Sequence, residues 1–263
     1  MGTVMLPEPV YEPQDQSPVL PPDGFVLDFS LQPSLNAAGG PSVALFASVR
    51  VPGKYADIYG GRLAGAIQIV AVASDRGAVY ARNAEVGATA PLPLVMNYNP
   101  QPRPRGVAPV ESAEAWFAVD LRAHLNLPPE AGNYTMFLWL DEMASQPRTQ
   151  AIPGKTAGGN AGPAWPNVLT RDAGPPPAGS PPILMNLGDT VAGRASGTFS
   201  LLGLDFRSRS VKWLSAPGPQ RFHFDPHALF SKPGWLDAPD PPRRAFLVLC
   251  CGGQLSSIVA VGA

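Results

Sequence analysis

Leu127-Pro-Pro-Glu-Ala-Gly132-Asn-Tyr134-Thr-Met-Phe-Leu-Trp-Leu140-Asp141 is the stretch on which the fold turns. Gly132 can take a left-handed turn conformation at no steric cost. From Tyr134 the pattern has a period of two. Tyr134, Met136, Leu138 and Leu140 point one way, and Phe137 and Trp139 the other. Upstream, Ala115, Phe117, Val119 and Leu121 share one face of a second strand. A corner between two strands is therefore written into residues 115–140.

The same alternation continues outward in both directions. Phe25, Leu27 and Phe29 alternate with Val26, Asp28 and Ser30. Ser42 to Val51 reads as an apolar strand ended by a turn at Pro52-Gly53. Between Ala64 and Ala73, Ile67, Ile69 and Ala71 oppose Gln68, Val70 and Val72. Asp75-Arg76-Gly77 is a turn, and Ala78 to Arg82 pairs back as a hairpin arm. Leu92 to Tyr98 is a weaker strand, interrupted by Pro93. Further strands are expected at Ile183–Leu187, Thr198–Phe206, Val211–Leu214, Ala245–Cys251 and Ser256–Val261. A helical turn is expected only around Pro226–Ser231, and no internal repeat is visible.

Composition agrees with an all-β chain. The 33 prolines and 27 glycines in 263 residues exclude long helices and favour short elements with many turns. The net charge of −1 leaves no electrostatic footprint for nucleic acid. No stretch of 18 apolar residues is present to span a membrane. The start of the chain lacks a basic region followed by a long apolar run, so a cytoplasmic location is expected, with export by a non-classical route as the alternative. Cys250 and Cys251 are adjacent, face opposite sides of a strand, and are not expected to bridge each other.

Four regions follow. Residues 1–24, with six prolines, form an extended arm of polyproline type. Residues 25–152 form a β-sandwich. Residues 153–182 are a Pro/Gly-rich loop or linker. Residues 183–263 form a C-terminal β region, either packed on the sandwich or making a second small β domain.

Leu127-Pro-Pro-Glu-Ala-Gly132-Asn-Tyr134 resembles the tyrosine corner of immunoglobulin-like sandwiches, where the Tyr hydroxyl bonds back to upstream backbone. The resemblance covers about ten residues, and the Cys and Trp pattern of antibody domains is absent. It implies an antiparallel immunoglobulin-like β-sandwich and leaves function open, because unrelated functions share that fold.

His223, Asp225 and His227 would share one face of an extended strand and could ligate zinc or iron(II). The competing reading is a surface turn in which Asp225-Pro226 opens a short helix. Gly154-Lys155-Thr156 lacks the earlier glycine of a phosphate loop. In Gly193-Arg-Ala-Ser196-Gly197 the serine is displaced by one from a nucleophile elbow, and these glycines are expected in a turn before Thr198. Trp116 and Trp139 are expected in the core. Trp165 and Trp235 lie in Pro/Gly-rich segments and, with Val19, Leu20 and Leu169, are candidate interaction anchors.

The scarcity of catalytic constellations leads to one expectation: a non-catalytic structural or interaction protein, without cofactor, that is a subunit or accessory of a larger assembly of protein chains. The alternatives are a metal-dependent enzyme or metal-binding protein using His223, Asp225 and His227 with zinc or iron, and a sandwich that binds carbohydrate or another small ligand.

Overall fold

A computed structural model describes residues 18–20, 24–35, 41–59, 63–75, 77–84, 112–154, 170–172, 182–187, 190–206, 209–217, 220–226 and 245–262. The strand expected at Leu92–Tyr98 lies outside these. In the first half the elements are β1 (Val26–Leu35), β2 (Pro41–Pro52), α1 (Gly53–Tyr59), α2 (Leu63–Ala66), β3 (Gln68–Ala73), β4 (Val79–Asn83), β5 (Ser112–Asp120), α3 (Leu121–Leu125), β6 (Gly132–Leu140), β7 (Met143–Ala144) and β8 (Arg148–Ile152). In the second they are β9 (Thr170–Asp172), β10 (Ile183–Leu187), β11 (Thr190–Ala195), β12 (Phe199–Asp205), β13 (Val211–Ala216), β14 (Gln220–Phe224), β15 (Ala245–Cys251), β16 (Gln254–Leu255) and β17 (Val259–Val261).

The strands form four antiparallel sheets. Sheet A runs β1-β2-β5, and sheet B runs β4-β3-β6-β7 with β8 also on β6. Sheet C runs β10-β11-β14-β9, and sheet D runs β13-β12-β15-β16 with β17 also on β15. Lettered A, B, C, C′, E, F and G in chain order, β1, β2, β3, β4, β5, β6 and β7/β8 give an A-B-E sheet facing a C′-C-F-G sheet. This is an immunoglobulin-like sandwich.

The second half repeats that order with β10, β11, β12, β13, β14, β15 and β16/β17. The repeat holds register. Trp139 pairs with Ala144 and Tyr134 with Gln150, while Cys250 pairs with Leu255 and Ala245 with Val261. One shift of 111 positions (139 to 250, 144 to 255) maps the first pair onto the second. Likewise Val72 faces Val79 and Leu204 faces Val211, a shift of 132 (72 to 204, 79 to 211).

Each repeated F-G hairpin carries the same serine device. The Leu138 and Leu249 N–H groups donate to the hydroxyls of Ser145 and Ser256, both at 2.9 Å. The serine N–H groups donate back to the Leu138 and Leu249 carbonyls at 3.0 and 2.9 Å. The hydroxyl thus completes the ladder where strand G breaks between its two short segments.

Alternation sets three apolar layers. Between sheets A and B lie Phe29, Leu45, Ile69, Phe117, Met136 and Leu138, among others. Between sheets C and D lie Val191, Phe222, Phe199, Leu201, Leu247 and Leu249. The opposite faces of sheets B and D meet each other through Val70, Phe137, Trp139, Leu202, Phe246 and Val248. The stacking order is therefore A, B, D, C. Sheets B and D are buried on both faces, which is why β6 and β15 read as nearly unbroken apolar runs.

Several local expectations change. Pro52-Gly53 starts helix α1 instead of a simple turn, and three short helices occur among the described residues. Gly193 sits inside β11, not in a turn. A Cβ there would fall 2.0 Å from the Phe222 ring, so glycine is what lets that ring lie across the strand. Gly197, at φ +136, does occupy the following turn. Trp139 is fully buried, whereas Trp116 lies on the outward side of β5 and is only half-buried. Leu121 leaves the β5 pattern to begin α3, capped by the Asp120 carboxylate accepting the Ala123 N–H at 2.9 Å.

Candidate interaction surfaces

Gly132 is the first residue of β6 and does not take the left-handed turn conformation expected of it. Tyr134 is buried and folds back over Gly132, where a Cβ would lie 2.9 Å from the ring and 3.1 Å from the hydroxyl. Tyr80 meets it edge-on at 6.0 Å. The buried Arg122 guanidinium donates to the carbonyls of Pro128 and Pro153, tying the corner to the end of β8. His124 is buried beside it, 3.0 Å from the Asn83 carbonyl, and burial holds its imidazole below the ordinary histidine value.

The two halves are clamped at one end of their interface. Arg209, in the β12–β13 turn, donates to the Asp141 carboxylate and to the Tyr59 hydroxyl, both through Nη1, and to the Ala66 carbonyl through Nη2. Tyr59 donates to the other Asp141 oxygen at 2.5 Å, and the guanidinium lies 5.2 Å from its ring centre. Burial, with Asp141 adding to it against Arg209, pushes the Tyr59 hydroxyl far above its ordinary range. Arg209 and Asp141 both hold left-handed backbone, at φ 53 and 50. The repeat places Gly77 (φ 67) where Arg209 stands, and Gly252 (φ 56) where Asp141 stands.

The glycine end of the interface is correspondingly open. A cleft of about 180 Å³ there is lined by Gly77, Thr135, Thr149, Ser200, Cys250 and Gly252, among others. The Gly77 carbonyl accepts from the hydroxyls of Ser200 and Ser215 at 2.6 and 2.5 Å. Both cysteines are unbridged. Cys250 packs between the halves and Cys251 inside the second sandwich, as their adjacency on a strand requires. Burial raises both thiols, Cys250 to about 12, so neither is an activated nucleophile.

Two outward sheet faces remain. On sheet A, Phe46 and Ser48 point away from the core yet are buried. The Ser48 hydroxyl donates to the Pro18 carbonyl, so the end of the N-terminal arm crosses this face. Of the arm anchors, Val19 is exposed and Leu20 half-buried. On sheet C the outward positions are Ile183, Met185 and Leu187 of β10, Ala192 and Arg194 of β11, and Arg221 and His223 of β14. Met185 and Leu187 are 53% and 59% exposed.

His223 lies half-buried on this outward face, and Asp225 is exposed just beyond the strand end. His227 lies outside the described residues, as do Trp165, Leu169 and Trp235. Among the described residues no group of three His, Cys, Asp or Glu side chains is placed to hold a metal ion. No helix among them is long and apolar enough to cross a membrane. Sequence reasoning missed the sheet C face because β11 and β14 carry glycine and arginine where an alternating apolar signal is sought.

No known family matches the sequence, and no curated protein matches it. Among solved structures, a two-domain fibronectin type III segment from chicken tenascin is similar over 91% of this chain and 98% of its own, at 8% identity and a TM-score of 0.20. A superposition that loose carries no weight, and the immunoglobulin-like assignment rests on strand order, register and the Tyr134 corner.

Proposed function

We propose that the chain is a non-catalytic interaction protein, a subunit or accessory of a larger assembly, organised as two tandem sandwiches over residues 25–152 and 183–263. The observation that supports this most is the use of its surfaces. The inner sheets consume their apolar faces on each other, while sheet C turns Met185 and Leu187 outward on an edge strand whose neighbour, β11, carries Arg194 on the same face. Aliphatic side chains flanked by arginine suit a protein partner better than a small ligand. The clamp at Arg209 keeps the two sandwiches as one rigid block, which fixes the directions in which the outward faces present themselves.

The test is the native size of the chain. In extract of its source, the full chain is expected to elute well above monomer mass, with a fixed ratio to whatever elutes with it. Elution at monomer mass in fresh extract, across a range of salt, contradicts the proposal.

A further inference from the structure

We infer that sheet C's outward face packs on the same face of a second copy of this chain, end for end about a two-fold axis; this rests on the assembly reading above. Register fixes what the face presents. Ile183, Arg194 and Arg221 lie in one outward row, with Asp172 at the next register position. Met185, Ala192 and His223 form the middle row. Leu187 and Thr190 form the third, and alternation carries the exposed Asp225 to the same end.

This arrangement complements itself. A two-fold axis along the middle row, across the strands, lays β10 on its own copy and reverses the order of the rows. Ile183 then meets Leu187 of the second copy, Arg194 meets Thr190, and the middle row meets itself. Arg221 meets Asp225 of the second copy, and does so twice in each dimer. A face with opposite charges at opposite ends suits its own copy, where a face of one sign would repel it. Met185 and Leu187, 53% and 59% exposed, are the apolar surface that the contact covers.

The chain already packs two of its sheets in this way. Between sheets B and D, Arg209 in the C–C′ turn of the second sandwich meets Asp141 at the F–G end of the first. At the opposite end, the Gly77 turn of the first stands beside Gly252 of the second. That internal contact is itself end for end, and sheet C repeats it between copies. Sheet A offers no such face. Its Phe46 and Ser48 are buried, and its Arg50 is paired within its own row with Glu114 at 2.6 Å.

The surface is held ready for the contact. Asn186, on the inner side of β10, donates to the Ala260 carbonyl of β17 at 3.2 Å and holds this edge strand in place. Five-residue strands at about 3.4 Å per residue, in a four-stranded sheet with strands about 4.8 Å apart, give each copy a contact of about 17 by 19 Å. That is the small end of specific interfaces, so the dimer is reversible and concentration sets its population. An isologous contact is used up when two copies meet, so association through this face stops at two.

Sedimentation velocity of the purified full chain over a concentration series tests this. A reversible equilibrium between one and two copies is expected, with nothing larger. The exposed changes Met185→Asp and Leu187→Asp together should weaken it about tenfold or more, with the melting temperature of the dilute chain unchanged. Arg221→Glu and Asp225→Lys should each weaken it about tenfold, since each sets like charges together twice. Mixing those two variants one to one should restore the dimer, because each supplies the charge that the other has lost. A chain monomeric at every concentration, association that continues past two, or no restoration on mixing overturns the two-fold contact. A native size in extract well above the monomer would survive that failure, so the two readings fail separately.

Discussion

The two sandwiches share strand order and hairpin register but differ in how their turns are filled. At the C–C′ and F–G turns the first half has Gly77 and Asp141, and the second has Arg209 and Gly252. All four positions demand left-handed backbone. Glycine meets that demand without cost, whereas Asp and Arg do so at roughly 1 kcal/mol or more each. The two costly residues are the two that meet each other across the interface, and the two glycines border the cleft. The difference teaches that the clamp was built on one side of a near-symmetric pair, where strain is offset by a buried, hydrogen-bonded ion pair.

The comparison breaks hardest in the shared layer. Val248→Asp places a carboxylate between sheets B and D, where no partner is available, and should remove folding of both halves together, a loss above about 4 kcal/mol. Far-UV circular dichroism and urea unfolding check it. Survival of one half alone would separate the sandwiches.

Next comes the clamp. Asp141→Ala leaves the Arg209 guanidinium buried beside Tyr59 without its carboxylate and should cost about 3–5 kcal/mol. Gly252→Ala, at the equivalent position, meets open space and should cost only about 1 kcal/mol, from backbone conformation alone. Equal losses at the two positions would refute the asymmetry.

Tyr134→Phe should cost about 1 kcal/mol, the worth of one hydrogen bond, measured by thermal melting. The second sandwich has Ala245 at this position by the 111-residue shift, so it has no such corner to lose.

The smallest effect is electrostatic. Burial lowers the His124 pKa in the folded chain, so below about pH 6.5 the unfolded chain binds more protons than the folded one. Stability therefore falls as the pH drops through that region and levels off above it. His124→Gln should flatten this slope; an unchanged slope would place the titration elsewhere.

Most strands were legible because their side chains alternate, and Tyr134 to Leu140 announced a corner and a strand directly. The four-layer stack was not. Its signal is the run of apolar residues on both faces of β6 and β15, which in isolation marks only burial. The repeat was hidden because register, not residue identity, is kept. Leu138 matches Leu249 and Ser145 matches Ser256, but Trp139 faces the interface where the second copy has Cys250. Strands β11 and β14 escaped notice because Gly193 makes room for Phe222 and so looks like a turn signal. The outward face they form was hidden with them, since only pairing brings Arg194, Arg221, Met185 and Leu187 to one side.

The central claim is that sheets B and D form one doubly buried layer that unites the two sandwiches. Native-state hydrogen exchange on the full chain tests it most directly. Amides of β3, β6, β12 and β15 should be the slowest, should exchange with one common free energy equal to that of global unfolding, and should do so in both halves. Exchange from β12 and β15 through an opening much easier than that of β3 and β6 would contradict the account.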